Sequence, residues 1–82
     1  MSNLLSPLVI QVGKLKGPFR GFRMINTHFT FDNGKVWLQH EEKYLYFYAH
    51  NPRARVVYQQ DGSYVLEVDG TDETVQVIPG DK

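Results

Sequence analysis

The chain has 82 residues and no cysteine, with nine basic side chains against nine acidic ones. That length allows one domain with a thin stability margin, and the absence of thiols excludes disulfides, thiolate metal sites and cysteine nucleophiles. A secreted domain this small often needs such staples, so their absence points to the cytoplasm.

Met1 to Pro7 reads as an N-terminal arm whose Leu4 and Leu5 are expected to pack on the domain or on a neighbouring copy. No positive charge precedes this apolar run and Pro7 interrupts it, so neither a signal peptide nor a transmembrane helix is expected. Residues 8–79 are expected to form a single β domain, with residues 80–82 as a tail. Leu8 to Leu15 alternates as a first strand, with Leu8, Ile10 and Val12 on one side. Lys16-Gly17-Pro18 and then Gly21 break it. Gly17, Gly21 and the nearby cations lack the ending of a phosphate-binding P-loop, and no helix follows, so a plain loop is expected.

Phe22 to Ile25 reads as extended, followed by a hairpin from Thr27 to Gln39 around Asp32-Asn33-Gly34-Lys35. Asn-Gly accepts positive φ at low cost, which makes it a strong hairpin signal. A two-residue turn would put Phe29, Phe31, Val36 and Leu38 on one face. A three-residue loop with a glycine bulge would set Phe29 opposite Trp37, with Phe31 on the same face. The second register is preferred, because it gives the indole an aromatic partner.

His40 to Lys43 is a charged turn. Tyr44 to Ala49 alternates as a strand, with Tyr44, Tyr46 and Tyr48 on one side and Leu45, Phe47 and Ala49 on the other. Such a strand faces the core with one side and something amphipathic with the other. After His50-Asn51-Pro52, strands are expected at Arg55 to Gln60, Ser63 to Asp69 and Thr74 to Ile78, with Asp61-Gly62 and Gly70 to Glu73 as turns. Six to seven short, mostly antiparallel strands predict an all-β fold, a small SH3-like β-barrel, with an OB-like barrel or a split β-sheet as alternatives.

The ordered pieces Gly17 to Phe22, Phe29 to Trp37, Tyr44 to Tyr48, Asn51-Pro52 with Val56, and Gly62 to Gly70 resemble a family of short bacterial proteins and domains of uncharacterised function. Its pattern is Gly-x-Phe-x-Gly-Phe/Trp, Phe-x-Leu-x-Asn-Gly-Gln-Val-Trp, a Tyr-rich strand, Asn-Pro-x-Val and Gly-x-Tyr-x-Leu-x-Val-x-Gly. The likeness spans residues 13–78. Here Phe31 replaces the usual Leu and Lys35 the usual Gln, while two extra residues follow Pro52 and are expected to alter the loop after Tyr48. The resemblance implies a shared β architecture and carries no activity or catalytic residue.

No enzyme chemistry is expected. His28, His40 and His50 lack metal-ligand spacing, Ser2, Ser6 and Ser63 sit in an arm and a turn without a nucleophile elbow, and the acid pairs Glu41-Glu42 and Asp72-Glu73 lie in solvated turns. No metal and no cofactor is predicted. The cations are unevenly placed: residues 1–31 hold Lys14, Lys16, Arg20 and Arg23 and no acid. The default expectation is that they meet acids across neighbouring strands; the sharper one is a basic face for an anionic partner. The functional expectation is a binding or assembly module, homo-oligomeric and not membrane-bound, using Tyr44, Tyr46, Tyr48, Trp37, Leu4 and Leu5 as interface. The alternative is a single-stranded nucleic-acid binder using those tyrosines with Lys14, Lys16, Arg20, Arg23, Arg53 and Arg55, against which stand the zero net charge and near-neutral pI.

Overall fold

The computed structural model describes residues 8–80; Leu4, Leu5 and the rest of the expected arm lie outside them. The described chain is all-β. Its strands are β1 (Leu8–Lys14), β2 (Pro18–Phe19), β3 (His28–Thr30), β4 (Val36–Gln39), β5 (Ala49–His50), β6 (Arg53–Tyr58), β7 (Tyr64–Val68) and β8 (Thr74–Pro79). Six of them form an antiparallel sheet in the order β1-β6-β7-β8-β4-β3, and β2 pairs with β5 in a small second sheet.

Two hairpins share one turn chemistry. In the β3–β4 turn, the Gly34 N–H donates to the Phe31 carbonyl, the Phe31 N–H to the Lys35 carbonyl, and the Lys35 N–H to Asn33 Oδ1. In the β6–β7 turn the equivalent bonds join Gly62 to Gln59, Gln59 to Ser63, and Ser63 to Asp61 Oδ1. Each is a three-residue loop with glycine in the left-handed region and an Asx side chain bracing the turn. The loop sets Phe29 opposite Trp37, the preferred register.

The buried face follows from these registers. Phe29, Phe31 and Trp37 join Phe19 and Phe22, with Val56, Leu66, Val68, Val75 and Val77 from the other strands. Phe22 packs edge-on against both Phe19 and Phe29 at centroid distances of 6.0 and 6.1 Å, contacts that add about 0.5–1.5 kcal/mol each beyond burial. Trp37 is only 4% exposed. Its indole N–H donates to Gln11 Oε1 on β1 at 3.0 Å, and its ring lies 5.3 Å from Tyr64. The expectation that Trp37 serves an interface is therefore corrected: its opposite neighbour is a core phenylalanine, and the indole is enclosed with it.

The two outer strands of the large sheet touch at one corner. Leu15 bridges Phe31, the Lys16 N–H donates to the Thr30 carbonyl, and the Asp32 N–H to the Lys14 carbonyl. Along Leu8 to Gly13, by contrast, no strand among the described residues lies beside the outer edge of β1. Three strand expectations are revised. Phe22 to Ile25 does not run on as a strand: Met24 to Thr27 turns, with the Thr27 hydroxyl donating to the Met24 carbonyl and Asn26 at φ 73°. Tyr44 to Ala49 is extended, yet strand pairing there begins only at Ala49, apart from a bridge at Leu45. β6 starts at Arg53, so the two residues after Pro52 lengthen that strand instead of a loop.

Candidate functional site

The segment bearing the tyrosine row is laid against the stretch that follows β1. Lys14 faces Arg53, the Leu15 N–H donates to the Pro52 carbonyl, and the Asn51 N–H donates to the Gly17 carbonyl. Pro18 then faces His50, Phe19 faces Ala49, and Phe22 exchanges two 3.0 Å backbone bonds with Leu45. Two glycines permit this close approach. A Cβ on Gly21 would sit 1.8 Å from the Leu45 carbonyl oxygen, and one on Gly70 would sit 2.6 Å from the Phe47 ring. Both have positive φ, which a side chain resists.

The result is a ribbon with two unlike faces. Inward go Leu15, Phe19 and Phe22, with Leu45 and Phe47 packed against the core. Outward on one strand go Tyr44, Tyr46 and Tyr48, which are 66%, 71% and 55% exposed. From the other strand come Arg20 and Arg23, both exposed. The register places Arg20 beside Tyr46 and Tyr48, and Arg23 beside Tyr44. Between the Phe22–Leu45 bridge and the Phe19–Ala49 pair, the tyrosine strand holds one residue more than its partner, so the position of Arg20 falls against both Tyr46 and Tyr48 in the register.

A buried glutamine fixes the far end of this ribbon. Gln39 is fully enclosed. Its Oε1 accepts the Arg23 N–H at 3.0 Å, and its Nε2 donates to the Glu41 and Lys43 carbonyls at 2.9 Å each. One amide thereby organises both strands where Arg23 and Tyr44 emerge, around a groove of about 460 Å³ lined also by Met24, Ile25, Glu42 and Lys43. Gln39 was not among the residues singled out from the sequence. Its only local signal is a polar side chain on a strand next to Leu38.

The ion pairs lie elsewhere. Arg55 engages Glu67 at 2.8 Å and Asp69 at 3.8 Å, and Lys43 engages Glu73 at 3.1 Å. Among the described residues no carboxylate pairs with Lys14, Lys16, Arg20, Arg23 or Arg53. The expectation that charges cancel across neighbouring strands therefore holds for Arg55 and fails for these five. The cause is visible in the sequence: residues 14–31 and 43–60 contain no acid, and the fold zips one such stretch to the other. Arg55 is consequently the one member of the basic set already committed to carboxylates.

His28, His40 and His50 are all exposed and fall on β3, after β4 and on β5. Among the described residues no group of three His, Asp or Glu side chains comes together as metal ligands. Ser63 sits in its turn, bonded to Asp61. Among the described residues no helix is long and apolar enough to cross a membrane. Comparison with protein families, with curated proteins and with solved structures finds no match for this chain.

A second exposed surface was only partly foreseen. Leu8 and Val12 are 61% and 60% exposed, and Val9 and Ile10 between them are exposed as well. They sit on the open edge of β1, where Leu8 faces the exposed Tyr58 across β6. The alternation from Leu8 to Val12 suggested one buried side; in the fold only Gln11 of this run is partly covered, by its bond to Trp37.

Proposed function

We propose that this chain is an SH3-like barrel acting as a non-enzymatic binding and assembly module in the cytoplasm, and that it associates with copies of itself. The curl that brings Leu15 to Phe31 supports the barrel. The observation that carries self-association is the open edge of β1 with its exposed aliphatic side chains. An uncovered edge offers unpaired backbone groups as a template for another strand. The occupant is a second β1, antiparallel about a two-fold axis. That arrangement separates Lys14 from its own copy, whereas parallel in-register pairing would set the two charges together.

Sedimentation at micromolar concentration is expected to give species heavier than the 9.5 kDa chain. Val12→Lys, at an exposed position on that edge, is expected to return the protein to a single, still folded chain, with an unfolding temperature that no longer depends on protein concentration. A wild type that stays a single chain across the concentration range contradicts self-association.

A further inference from the structure

Beyond assembly through the β1 edge, we propose that the outward face of the tyrosine ribbon is a binding site for single-stranded nucleic acid. Bases would stack on Tyr46 and Tyr48, and phosphates would be held by Arg20, Arg23 and Lys16.

The first support is spacing. Alternate residues of an extended chain stand about 6.8 Å apart, twice the rise of about 3.4 Å per nucleotide in a stacked strand. One flat base therefore fits between neighbouring rings of the row. No aromatic side chain among the described residues packs against Tyr44, Tyr46 or Tyr48, so their ring faces are open to such a guest. Rings of this kind accept any base, because every base has a π-face.

The second support is charge. The ribbon joins two acid-free stretches, and its exposed cations have no carboxylate partner among the described residues. Zero net charge weighs less against nucleic acid when most acids lie off this face. Glu67, Asp69 and Asp72 line a separate hollow together with Arg55, and Glu42 is the one acid lining the groove beside Arg23 and Tyr44. A third support is the groove of about 220 Å³ at the ribbon's edge, where Arg20 and Arg23 come together with His28 and Thr27. Two guanidiniums and an imidazole offer a phosphate several donors at once; the Thr27 hydroxyl is already bonded to Met24.

An acidic polypeptide would satisfy the cations and leave the rings without a role, which is why nucleic acid is favoured. The test is fluorescence anisotropy of a labelled oligothymidylate titrated with the full chain at low salt, with polyglutamate in a parallel arm. Binding is expected to weaken with salt, with a log–log slope of roughly −2 for three phosphate contacts. Tyr46→Ala and Tyr48→Ala are each expected to lower affinity about tenfold or more. Arg20→Ala is expected to flatten the slope by about 0.7. Arg55→Ala, whose side chain is already paired, is expected to change neither affinity nor slope. The tyrosines are exposed, so their variants should keep the wild-type unfolding temperature. No binding at low salt, or equal binding of polyglutamate with tyrosine variants indistinguishable from wild type, overturns the proposal.

Discussion

Gln39 decides how the ribbon ends. With all of its polar atoms enclosed, its replacement by leucine would strand the Arg23 N–H and the carbonyls of Glu41 and Lys43. Leaving buried groups unpaired costs about 1–3 kcal/mol, and for a domain of this size that lowers the unfolding temperature by roughly 5–20 °C. Thermal unfolding of Gln39→Leu followed by circular dichroism checks this, and a variant as stable as wild type contradicts the role. The residue was invisible in the sequence because its three partners are set by loops that meet only in the fold. Trp37 is the opposite case. Choosing Phe29 as its opposite neighbour already implied burial, and that register excludes the interface role given to the same indole.

At the scale of elements, the two hairpins were legible because Asn-Gly and Asp-Gly mark the turns, although the three-residue loop at Asn33-Gly34 was chosen over a two-residue one only for the partner it gives Trp37. The Asp61 turn also carries a pH dependence. Hydrogen bonds from the Ser63 hydroxyl, first, and from the Ser63 N–H hold the Asp61 carboxyl below its ordinary value of 3.8. A carboxylate depressed in the fold stabilises it above that ordinary value, and the contribution disappears as pH falls through the lower folded value. The unfolding temperature of Ser63→Ala is thus expected to lie below that of wild type near neutrality, with the gap closing in acid below 3.8. A gap independent of pH contradicts the assignment. The tyrosine segment was harder to read. Its alternation correctly separated outward rings from inward Leu45 and Phe47, yet its partner strand contains Pro18 and Gly21 and supplies few ladder bonds, so little of it is regular strand. At Phe22 to Ile25 the apolar run masked a turn that Asn26-Thr27 could have announced, since Asn tolerates left-handed φ and Thr closes the turn through its hydroxyl.

Across the whole molecule, the decisive feature is segregation. The chain is neutral, but the fold gathers its acid-free stretches into one ribbon and leaves its apolar first strand on an open edge. The stretches themselves were legible; their pairing was not, because Lys14–Arg53 and Phe22–Leu45 join positions remote in sequence. The edge was likewise hidden, since alternation from Leu8 to Val12 looks the same in a covered strand and an uncovered one. Self-association at this edge is the claim on which the assembly reading stands. Amide hydrogen exchange read residue by residue at increasing protein concentration tests it most directly. The outward-facing amides between Leu8 and Gly13 are expected to exchange freely in dilute protein and to slow as concentration rises, while those bonded to β6 stay slow throughout. Rates at the outer edge that do not change with concentration would contradict it.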